Sequence, residues 1–288
     1  MKNIKKIYDN IYLGKWEDHI VNIPSCSIDL IVTSPPYNIS LGIDNKHKKD
    51  SYDGYEDNMP YSKYLAWMTK LFTECNRVLK RGGRLAINIA DAANGSTPTH
   101  VDFTNILLSM HLGTCWDYKL YKDCYGFEQF EMITTIVWDK GQIGNAVSWG
   151  SFQSPSQPSF PTQFEFIIVV GKGTKKHQGN GDISVSKENF IRNSKALWKF
   201  PPESGMMQRY DHPAVFPEEL PRRLIDQLTY VGDIILDPFS GSGTTCAVAK
   251  EMERHYIGFE MSEKYHAKSV ERLSLIPTRS GNIPKWMK

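Results

Sequence analysis

The segment from Ile234 to Thr245, Ile-Ile-Leu-Asp-Pro-Phe-Ser-Gly-Ser-Gly-Thr-Thr, places the tightest constraint on the fold of this 288-residue chain. A hydrophobic strand runs into an acidic residue, a glycine-rich bend and then a helix. Glycine lets the backbone approach a ligand closely, and the free N–H groups of a helix N-terminus favour an anionic group. The segment therefore predicts a small-molecule site whose residues are Asp237, Pro238, Phe239, Gly241, Ser242, Gly243, Thr244 and Thr245.

This bend differs from two well-known phosphate-binding patterns. It lacks the G-x-x-x-x-G-K-[ST] spacing and the lysine of a P-loop. It also departs from the G-x-G-x-x-G dinucleotide pattern, because Gly241-Ser-Gly243 follows Asp-Pro-Phe and precedes Thr-Thr.

The next predicted strand, Tyr256 to Phe259, ends at the acid Glu260. A carboxylate at the carboxyl end of the second strand of such a unit can accept hydrogen bonds from ribose hydroxyls. The bend and Glu260 together predict a cofactor that contains a nucleoside, whereas either feature alone is also compatible with a tight turn or a surface glutamate.

An earlier part of the chain has a strand–helix–strand pattern. Ser27–Ser34 is a β-branched run that ends at Pro35-Pro36. An amphipathic helix extends from Tyr64 to Leu79 and is expected to stop at Arg81-Gly82-Gly83, and Arg84–Ala90 is a second apolar strand. This pattern predicts a βαβ unit with parallel strands and hence an α/β fold with helices on both faces of the sheet. Further strands are predicted at 132–137, 165–170 and 233–236, and further helices at about 218–229 and 243–252.

The turn Thr33-Ser-Pro-Pro-Tyr-Asn38 follows the first of these strands. The two prolines stiffen the turn, and their carbonyl groups can accept hydrogen bonds from the amino group of a ligand. Ser34 adds another acceptor, and Tyr37 offers an aromatic face on which a planar base can stack. A purely structural turn is the alternative interpretation. Ser34, Pro35, Pro36 and Tyr37 are therefore the candidate catalytic residues.

Composition excludes several other classes of protein. No apolar stretch approaches the roughly 20 residues that span a bilayer, and the amino terminus does not resemble a secretory signal, so we expect a cytoplasmic protein. The five cysteines form no C-x-x-C pair, which argues against a disulfide framework or a zinc cluster, and we expect no metal. The formal net charge of +2 neither requires nor excludes a nucleic-acid partner.

At this point the chain resembles a known family, the S-adenosylmethionine-dependent DNA amino-methyltransferases of the β group, in which the catalytic motif precedes the cofactor motif. The resemblance rests on Thr33–Tyr37, Trp149–Phe152, Glu165–Lys172, His212–Leu220, Asp237–Thr245 and Ile257–Glu260, in this order along the chain. It implies a Rossmann-like methyltransferase fold, S-adenosyl-L-methionine as the cofactor, and a cofactor-binding role for Phe216 besides Glu260 and the glycine bend. Family members often have Gly-Asp where this chain has Gly14-Lys15, so the contact to the adenine of the cofactor stays open between Asp9, Glu17, Asp18 and a backbone group.

The resemblance also implies a mechanism. Ser34 and the Pro35 carbonyl would accept the hydrogens of an exocyclic amino group, and the base would flip out of the duplex and stack on Tyr37. Methylation of cytosine C5 would require a cysteine nucleophile, commonly in a Pro-Cys pair, and no cysteine here follows a proline. The product is therefore expected to be N4-methylcytosine, which serine at position 34 favours within the family, or N6-methyladenine.

A change of composition indicates how the chain is organised, because Gly, Ser, Gln, Pro and Lys dominate between Trp138 and Phe200 and periodicity weakens there outside one strand. We expect residues 1–138 to form the catalytic half of the domain, 139–200 an inserted target-recognition region, 201–275 the cofactor-binding half and 276–288 a tail. The lysine-rich loop after the catalytic turn and the insertion provide the candidate DNA contacts, and for the loop a solvated charged surface is the alternative interpretation. In the loop these are Lys46, Lys48 and Lys49; in the insertion they are Lys175 and Lys176, with Lys172, Lys187, Arg192, Lys195 and Lys199 as further phosphate contacts.

The expected partner is double-stranded DNA, with a companion restriction endonuclease as a further candidate and the protein acting as a monomer or a homodimer. Two functions of other classes remain open. The same pair of sites could methylate RNA or a protein amide, or the chain could be a DNA-binding module without enzymatic activity. Methyl transfer to duplex DNA but not to free RNA or peptide separates these alternatives.

Overall fold

A computed structural model describes residues 7–38, 58–93, 97–109, 127–141, 156, 162–203 and 217–277. The strands of these residues are β1 (Asn10–Leu13), β2 (Ile28–Thr33), β3 (Leu79–Ala90), β4 (Ala92–Ala93), β5 (Thr97–Pro98), β6 (Phe130–Asp139), β7 (Phe164–Lys172), β8 (Leu197–Lys199), β9 (Ile234–Asp237) and β10 (His255–Glu260). The helices are α1 (Trp16–Ile20), α2 (Tyr61–Val78), α3 (Thr99–Ser109), α4 (Lys187–Asn193), α5 (Glu219–Leu228), α6 (Thr244–Glu251) and α7 (Glu263–Leu275). Among these helices, none is long and apolar enough to cross a bilayer.

Eight of these strands form one sheet in the order β1-β10-β9-β2-β3-β7-β6-β8. Neighbouring strands are parallel except that β7 runs antiparallel to both β3 and β6. The predicted mostly parallel α/β sheet is therefore confirmed, and its parallel strands present their carboxyl ends along one edge.

Helices cover both faces of this sheet, as predicted. On one face, Trp16 and Ile20 of α1, the apolar side of α2, and Phe103 of α3 pack in one buried core. On the other face, residues of α5, α6 and α7 form a second core, including Leu224, Val248 and Leu273. Burial of apolar side chains on both faces is the main source of stability for such a layered domain.

Helix α2 and strand β3 meet without an intervening loop. The predicted amphipathic side of the helix is buried at Tyr64, Met68 and Leu71. The strand, however, begins at Leu79, before the glycine pair that was expected to separate the two elements. At Gly83 a Cβ atom would lie 3.1 Å from the carbonyl oxygens of both Ile28 and Asp29, so glycine permits the close approach of β2.

The short strands β1 and β8 have too weak a pattern for prediction from sequence. Strand β1 has only four residues, of which one is buried, yet it pairs with β10 along the edge of the sheet. Within the stretch 139–200, β7 lies between β3 and β6, and β8 pairs with β6. Part of the stretch expected to be an insertion therefore belongs to the main sheet.

Candidate active site

Strand pairing brings the two predicted constellations to the same edge of the sheet. Ile31 of β2 lies in register with Leu236 of β9, and Asp237 lies in register with Gly258 of β10. The turn after Thr33, the bend after Asp237 and the terminal residue Glu260 therefore emerge side by side. Ligands of open parallel sheets bind at the carboxyl ends of the strands, which is this edge.

The bend between β9 and α6 is held by short backbone contacts. The N–H of Phe239 donates to Oδ1 of Asp237 at 3.1 Å, and the N–H of Gly243 donates to the Ser240 carbonyl at 2.7 Å. Gly241 and Gly243 have φ values of 50° and 76°, and Gly243 is the N-cap of α6. This left-handed conformation favours glycine.

Close packing adds a second reason for glycine at position 243. A Cβ atom there would lie 2.9 Å from Cβ of Ser269 and 3.2 Å from Cδ1 of Ile11. Glycine at position 243 therefore lets the start of α6 pack directly against α7 and β1.

Two other side chains of the bend are engaged or buried. The hydroxyl of Thr244 accepts a hydrogen bond from Nη1 of Arg272 at 3.0 Å, so it helps to hold the start of α6. The Ser242 hydroxyl is buried without a hydrogen-bond partner among the described residues. An unpaired buried hydroxyl is a group that a bound ligand can satisfy.

Asp237 is almost completely buried, with 1% of its surface exposed. Burial raises the pKa of this carboxyl to about 6, although the hydroxyl of Thr245, the N–H of Phe239 and the hydroxyl of Thr33 act in the opposite direction. None of the described residues forms an ion pair with Asp237. A buried carboxylate without such a partner is costly, so its charged form will favour a cationic ligand.

Glu260 is held by two backbone donors at the end of β10. Its Oε2 atom accepts from the N–H of Gly241 and its Oε1 atom from the N–H of Ser262, both at 2.8 Å. Burial raises the pKa of this carboxyl, and the nearby charge of Asp237 acts in the same direction. Each carboxylate oxygen can accept a further hydrogen bond, which suits the predicted contact with ribose hydroxyls.

The proline turn after β2 is anchored from beneath. Tyr64 Oη donates to the Pro36 carbonyl at 2.7 Å, and Nδ2 of Asn38 donates to the Met59 carbonyl at 2.8 Å. Asn38 has a φ of 56°, a left-handed conformation that asparagine tolerates better than most residues. Since the Pro36 carbonyl is bound to Tyr64, the Pro35 carbonyl is the better candidate for a ligand contact.

A buried polar network continues from this turn to residues that sequence reasoning missed. Ser34 Oγ lies 3.0 Å from Tyr37 Oη, which donates to Oε2 of Glu165 at 3.0 Å. Nδ2 of Asn88 donates to Tyr37 Oη at 2.8 Å and to the same Glu165 oxygen at 2.6 Å, and Lys140 forms an ion pair with the other oxygen of Glu165. The signal for these residues was a polar side chain within or beside an otherwise apolar strand.

The amino-terminal edge strand brings Gly14 beside Glu260. The N–H of Gly14 donates to the Glu260 carbonyl at 2.8 Å, which places the Gly14-Lys15 pair next to the predicted ribose contact. Of the three acids considered for the cofactor adenine, Asp9 binds His255 at the opposite end of β10. Glu17 accepts from Nε1 of Trp67 at 2.6 Å, and the Trp67 ring packs edge-on against that of Phe239 at 5.6 Å. Glu17 is therefore nearer to the bend than Asp9.

The predicted DNA contacts do not all reach this edge. Lys46, Lys48 and Lys49, and the predicted cofactor residue Phe216, lie outside the described residues. Because β7 is antiparallel to β3, Glu165 at its start lies beside Ala90, whereas Lys175 and Lys176 follow its end near Arg84. The segment from Arg84 to Ala90 spans about 20 Å at about 3.3 Å per residue, so the structure does not bring these lysines to the site.

Two other lysines of this region have different positions. Lys172 is completely buried, and its ammonium donates to the Leu79 carbonyl at 2.9 Å, so its predicted contact with phosphate is wrong. Burial lowers the pKa of this lysine. Lys199 lies in register with Asp139 at the carboxyl end of β8, and its side chain is 78% exposed.

A cluster of potential metal ligands lies at the opposite edge of the sheet, among Asp29, His177 and Asp233. The N–H of Gly179 donates to Nδ1 of His177 at 2.8 Å, so the other ring nitrogen carries the proton that it shares with Asp233 at 3.0 Å. Asp29 is paired with Lys80 at 2.7 Å. Although burial alone would raise the pKa of Asp233, the bond from His177 holds it below its usual value. This pattern of hydrogen bonds and ion pairs is typical of a structural contact between the segment after β7 and the starts of β2 and β9.

Comparison with known proteins agrees with this geometry. The DNA methylase family that comprises N6 and N4 methyltransferases matches residues 28–271. The type II methyltransferase M.MjaVI of Methanocaldococcus jannaschii is 36% identical over 186 residues, which cover 64% of this chain and 82% of that protein. The type II methyltransferase M.BglII of Bacillus subtilis is 29% identical and covers 97% of this chain and 73% of that protein.

Solved structures show the same fold. The putative DNA modification methylase TTHA0409 of Thermus thermophilus, in complex with S-adenosyl-L-methionine, superimposes with a TM-score of 0.66 at 25% identity, covering 93% of this chain and 94% of that one. The PvuII DNA methyltransferase, described as cytosine-N4-specific, has a TM-score of 0.62 at 21% identity, covering 91% and 85% of the two chains. At 21% identity, this similarity shows a shared fold and no more.

Proposed function

We propose that this chain, which belongs to the family of S-adenosylmethionine-dependent DNA amino-methyltransferases, methylates the N4 nitrogen of cytosine in duplex DNA. The observation that carries the proposal is the position of Ser34 next to the glycine bend at the carboxyl edge of the sheet. By resemblance to the family, serine at this position favours cytosine N4 over adenine N6.

The residues at the bend fit the family's methyl donor. Ser242 has a buried hydroxyl with no hydrogen-bond partner in the part of the chain that the structure describes, and Asp237 and Glu260 supply buried carboxyl groups. S-Adenosylmethionine, when bound, supplies an activated methyl group on a cationic sulfur. The acids Asp237 and Glu260 would hold it, with the buried start of α6 beside them.

The residues of the proline turn would act on the amino group of the base. The lone pair of that nitrogen is delocalised into the ring, so the nitrogen is a poor nucleophile until acceptors draw its hydrogens out of the ring plane. Ser34 Oγ and the Pro35 carbonyl are uncharged acceptors in a partly buried site. Acceptors that bind more strongly as charge develops on nitrogen stabilise the transition state more than the ground state.

The target base must leave the duplex to reach this edge, because its amino group is paired inside the helix. The Tyr37 ring would stack on the flipped base. Strand β6 ends and β7 begins at the same edge, and this supports a target-recognition role for the part of the predicted insertion between these two strands. A sequence-specific methyltransferase of this kind would protect DNA from a companion endonuclease.

Identification of the modified base tests the proposal. Duplex DNA is incubated with the protein and isotopically labelled S-adenosylmethionine, digested to nucleosides and analysed by mass spectrometry, with RNA and peptide as parallel substrates. We expect label in N4-methylcytosine alone. Label in N6-methyladenine alone would contradict the choice of base, and label only in RNA or peptide would contradict the choice of DNA.

A further inference from the structure

We propose that Glu165 is a positioning residue for methyl transfer, because its carboxylate fixes the direction of the hydrogen bonds that run through Tyr37 to Ser34. The inference rests on Ser34 as the acceptor for the amino group, which is part of the proposed function, but it holds for cytosine and adenine alike. It concerns Glu165, Asn88 and Lys140, which lie outside the proline turn itself.

The geometry places Tyr37 Oη at the centre of the network. It lies 3.0 Å from Glu165 Oε2, 2.8 Å from Asn88 Nδ2 and 3.0 Å from Ser34 Oγ. Glu165 and Asn88 are 8% and 3% exposed, so water has little access to them. A buried polar network of this kind is stable only when each donor faces an acceptor.

Two of these groups, the carboxylate of Glu165 and the amide of Asn88, have a fixed donor or acceptor role. The carboxylate of Glu165, which forms an ion pair with Lys140, can only accept hydrogen bonds. The amide of Asn88 points its nitrogen at both the Glu165 oxygen and Tyr37 Oη. The reverse orientation would place the amide oxygen against the carboxylate, so this orientation is the favourable one.

These fixed roles determine the direction of the hydrogen bond between Tyr37 and Ser34. Since the Tyr37 hydroxyl hydrogen is given to Glu165, Tyr37 Oη can only accept from Ser34. The hydrogen of the Ser34 hydroxyl therefore points toward Tyr37, and the lone pairs of Ser34 are left for another donor. That is the state in which Ser34 can accept a hydrogen from the amino group of the base.

The opposite direction of the hydrogen bond between Tyr37 and Ser34 would hinder methyl transfer. If Tyr37 donated to Ser34, the Ser34 hydroxyl hydrogen would be free to bind the nitrogen lone pair that must attack the methyl carbon. A carboxylate that can only accept prevents this reversal, whereas an amide at the same position could donate to Tyr37 and permit it.

The variant Glu165→Gln tests this inference, because it keeps the shape and removes the acceptor-only character. We expect the single-turnover rate of methyl transfer to duplex DNA to fall about 10- to 100-fold, the range for loss of a hydrogen bond to a charged group. The dissociation constants for S-adenosylmethionine and for DNA are expected to change less than about threefold. The matched control Glu128→Gln removes a carboxylate that pairs with Arg81 next to Gly173, on the opposite edge, and should leave the rate unchanged.

A double-variant cycle separates an effect of Glu165 that acts through the Tyr37 hydroxyl from a change in local packing. Tyr37→Phe keeps the ring and removes the hydroxyl that links Glu165 to Ser34, so we expect a loss of about 10-fold or more on its own. In the Tyr37→Phe background, Glu165→Gln should add less than about threefold, because the link is already broken. Melting temperatures of all variants report folding.

Four results would overturn the inference. These are a normal rate for Glu165→Gln, a normal rate for Tyr37→Phe, fully multiplicative losses in the double variant, or a loss explained by weaker binding of DNA or cofactor. If Glu165→Gln does not fold, the rate of Tyr37→Phe decides. Because the wild-type product is identified in the same assay, N6-methyladenine as product would contradict the proposed choice of base without touching the role of Glu165.

Discussion

Ile31 of β2 lies in register with Leu236 of β9, so Ser34 and Asp237 leave adjacent parallel strands on the same edge of the sheet. This one pairing joins a proline turn near the start of the chain to a glycine bend near its end. A methyl donor and a nucleobase can therefore meet there, and the predictions below test that juxtaposition.

Removal of the Asp237 carboxyl is expected to abolish measurable cofactor binding. Asp237 is buried at the start of the bend, and Asp237→Ala would leave an empty space and no charge for a cationic cofactor. Isothermal titration of S-adenosylmethionine measures the effect. Asp9→Ala serves as the control, because Asp9 binds His255 at the far end of β10 and its loss should leave the affinity unchanged. Normal affinity in Asp237→Ala would contradict the assignment.

Cofactor affinity should depend on pH. Burial raises the pKa of Asp237 to about 6 in the unliganded protein. If the bound cation favours the ionised carboxyl, affinity is constant above this value and falls by up to tenfold per pH unit below it. Glu260, whose pKa burial also raises, titrates at the same site. Asp237→Asn should therefore remove part of the pH dependence, and an affinity that stays constant from pH 8 to pH 5 in the wild type would refute the prediction.

Loss of the Tyr37 ring is expected to weaken the capture of the base while leaving the cofactor site intact. Tyr37→Ala removes a stacking partner worth about 1–3 kcal/mol per base, so DNA dissociation constants should rise about 5- to 100-fold. Fluorescence of 2-aminopurine at the target position reports base flipping. An unchanged affinity for S-adenosylmethionine is the internal control, and equal losses for both ligands would point to unfolding instead.

Substitution at Gly243 should cost more stability than at an unpacked glycine of similar conformation. Gly243 and Gly232 have φ values of 76° and 84°, but a Cβ meets Ser269 at 2.9 Å in the first and nothing within 4 Å in the second. We expect Gly232→Ala to lower the free energy of unfolding by about 1–2 kcal/mol. Gly243→Ala should lower the free energy of unfolding by about 1–3 kcal/mol more than this, because the added Cβ atom overpacks the site. Urea denaturation of both variants gives the comparison, and equal losses would contradict it.

Lysines at opposite edges of the sheet should differ in their effect on DNA. Lys199 is exposed at the carboxyl end of β8, whereas Lys176 follows β7 at the opposite edge. Lys199→Ala is expected to weaken DNA binding several-fold. It should also make the negative slope of log affinity against log salt shallower by about 1. Lys176→Ala should change neither quantity. Fluorescence anisotropy over a series of salt concentrations tests both, and the reverse pattern would place DNA on the other edge.

Much of this architecture could be read from local patterns. The apolar runs of β2, β9 and β10, the amphipathic face of α2 and the glycine bend have short-range periodicities that any fold must respect. The short edge strand β1 was missed, because only one of its four residues is buried and its pairing with β10 comes from distant sequence. The start of β3 at Leu79 was also missed, because the close approach of β2 at Gly83 outweighs the usual tendency of a glycine pair to end an element.

The identity of the site residues divides in the same way. Local chemistry alone predicted the proline turn, the glycine bend and the acid Glu260 as site residues, because each lies in a compact run of residues with its own conformational preference. Packing of distant strands alone established that Glu165 meets Tyr37, that Lys175 and Lys176 lie at the far edge, and that Lys172 is buried. All three points depend on the antiparallel direction of β7 between β3 and β6. This direction is set by pairing with strands that are distant in sequence, so the sequence of β7 alone does not determine it.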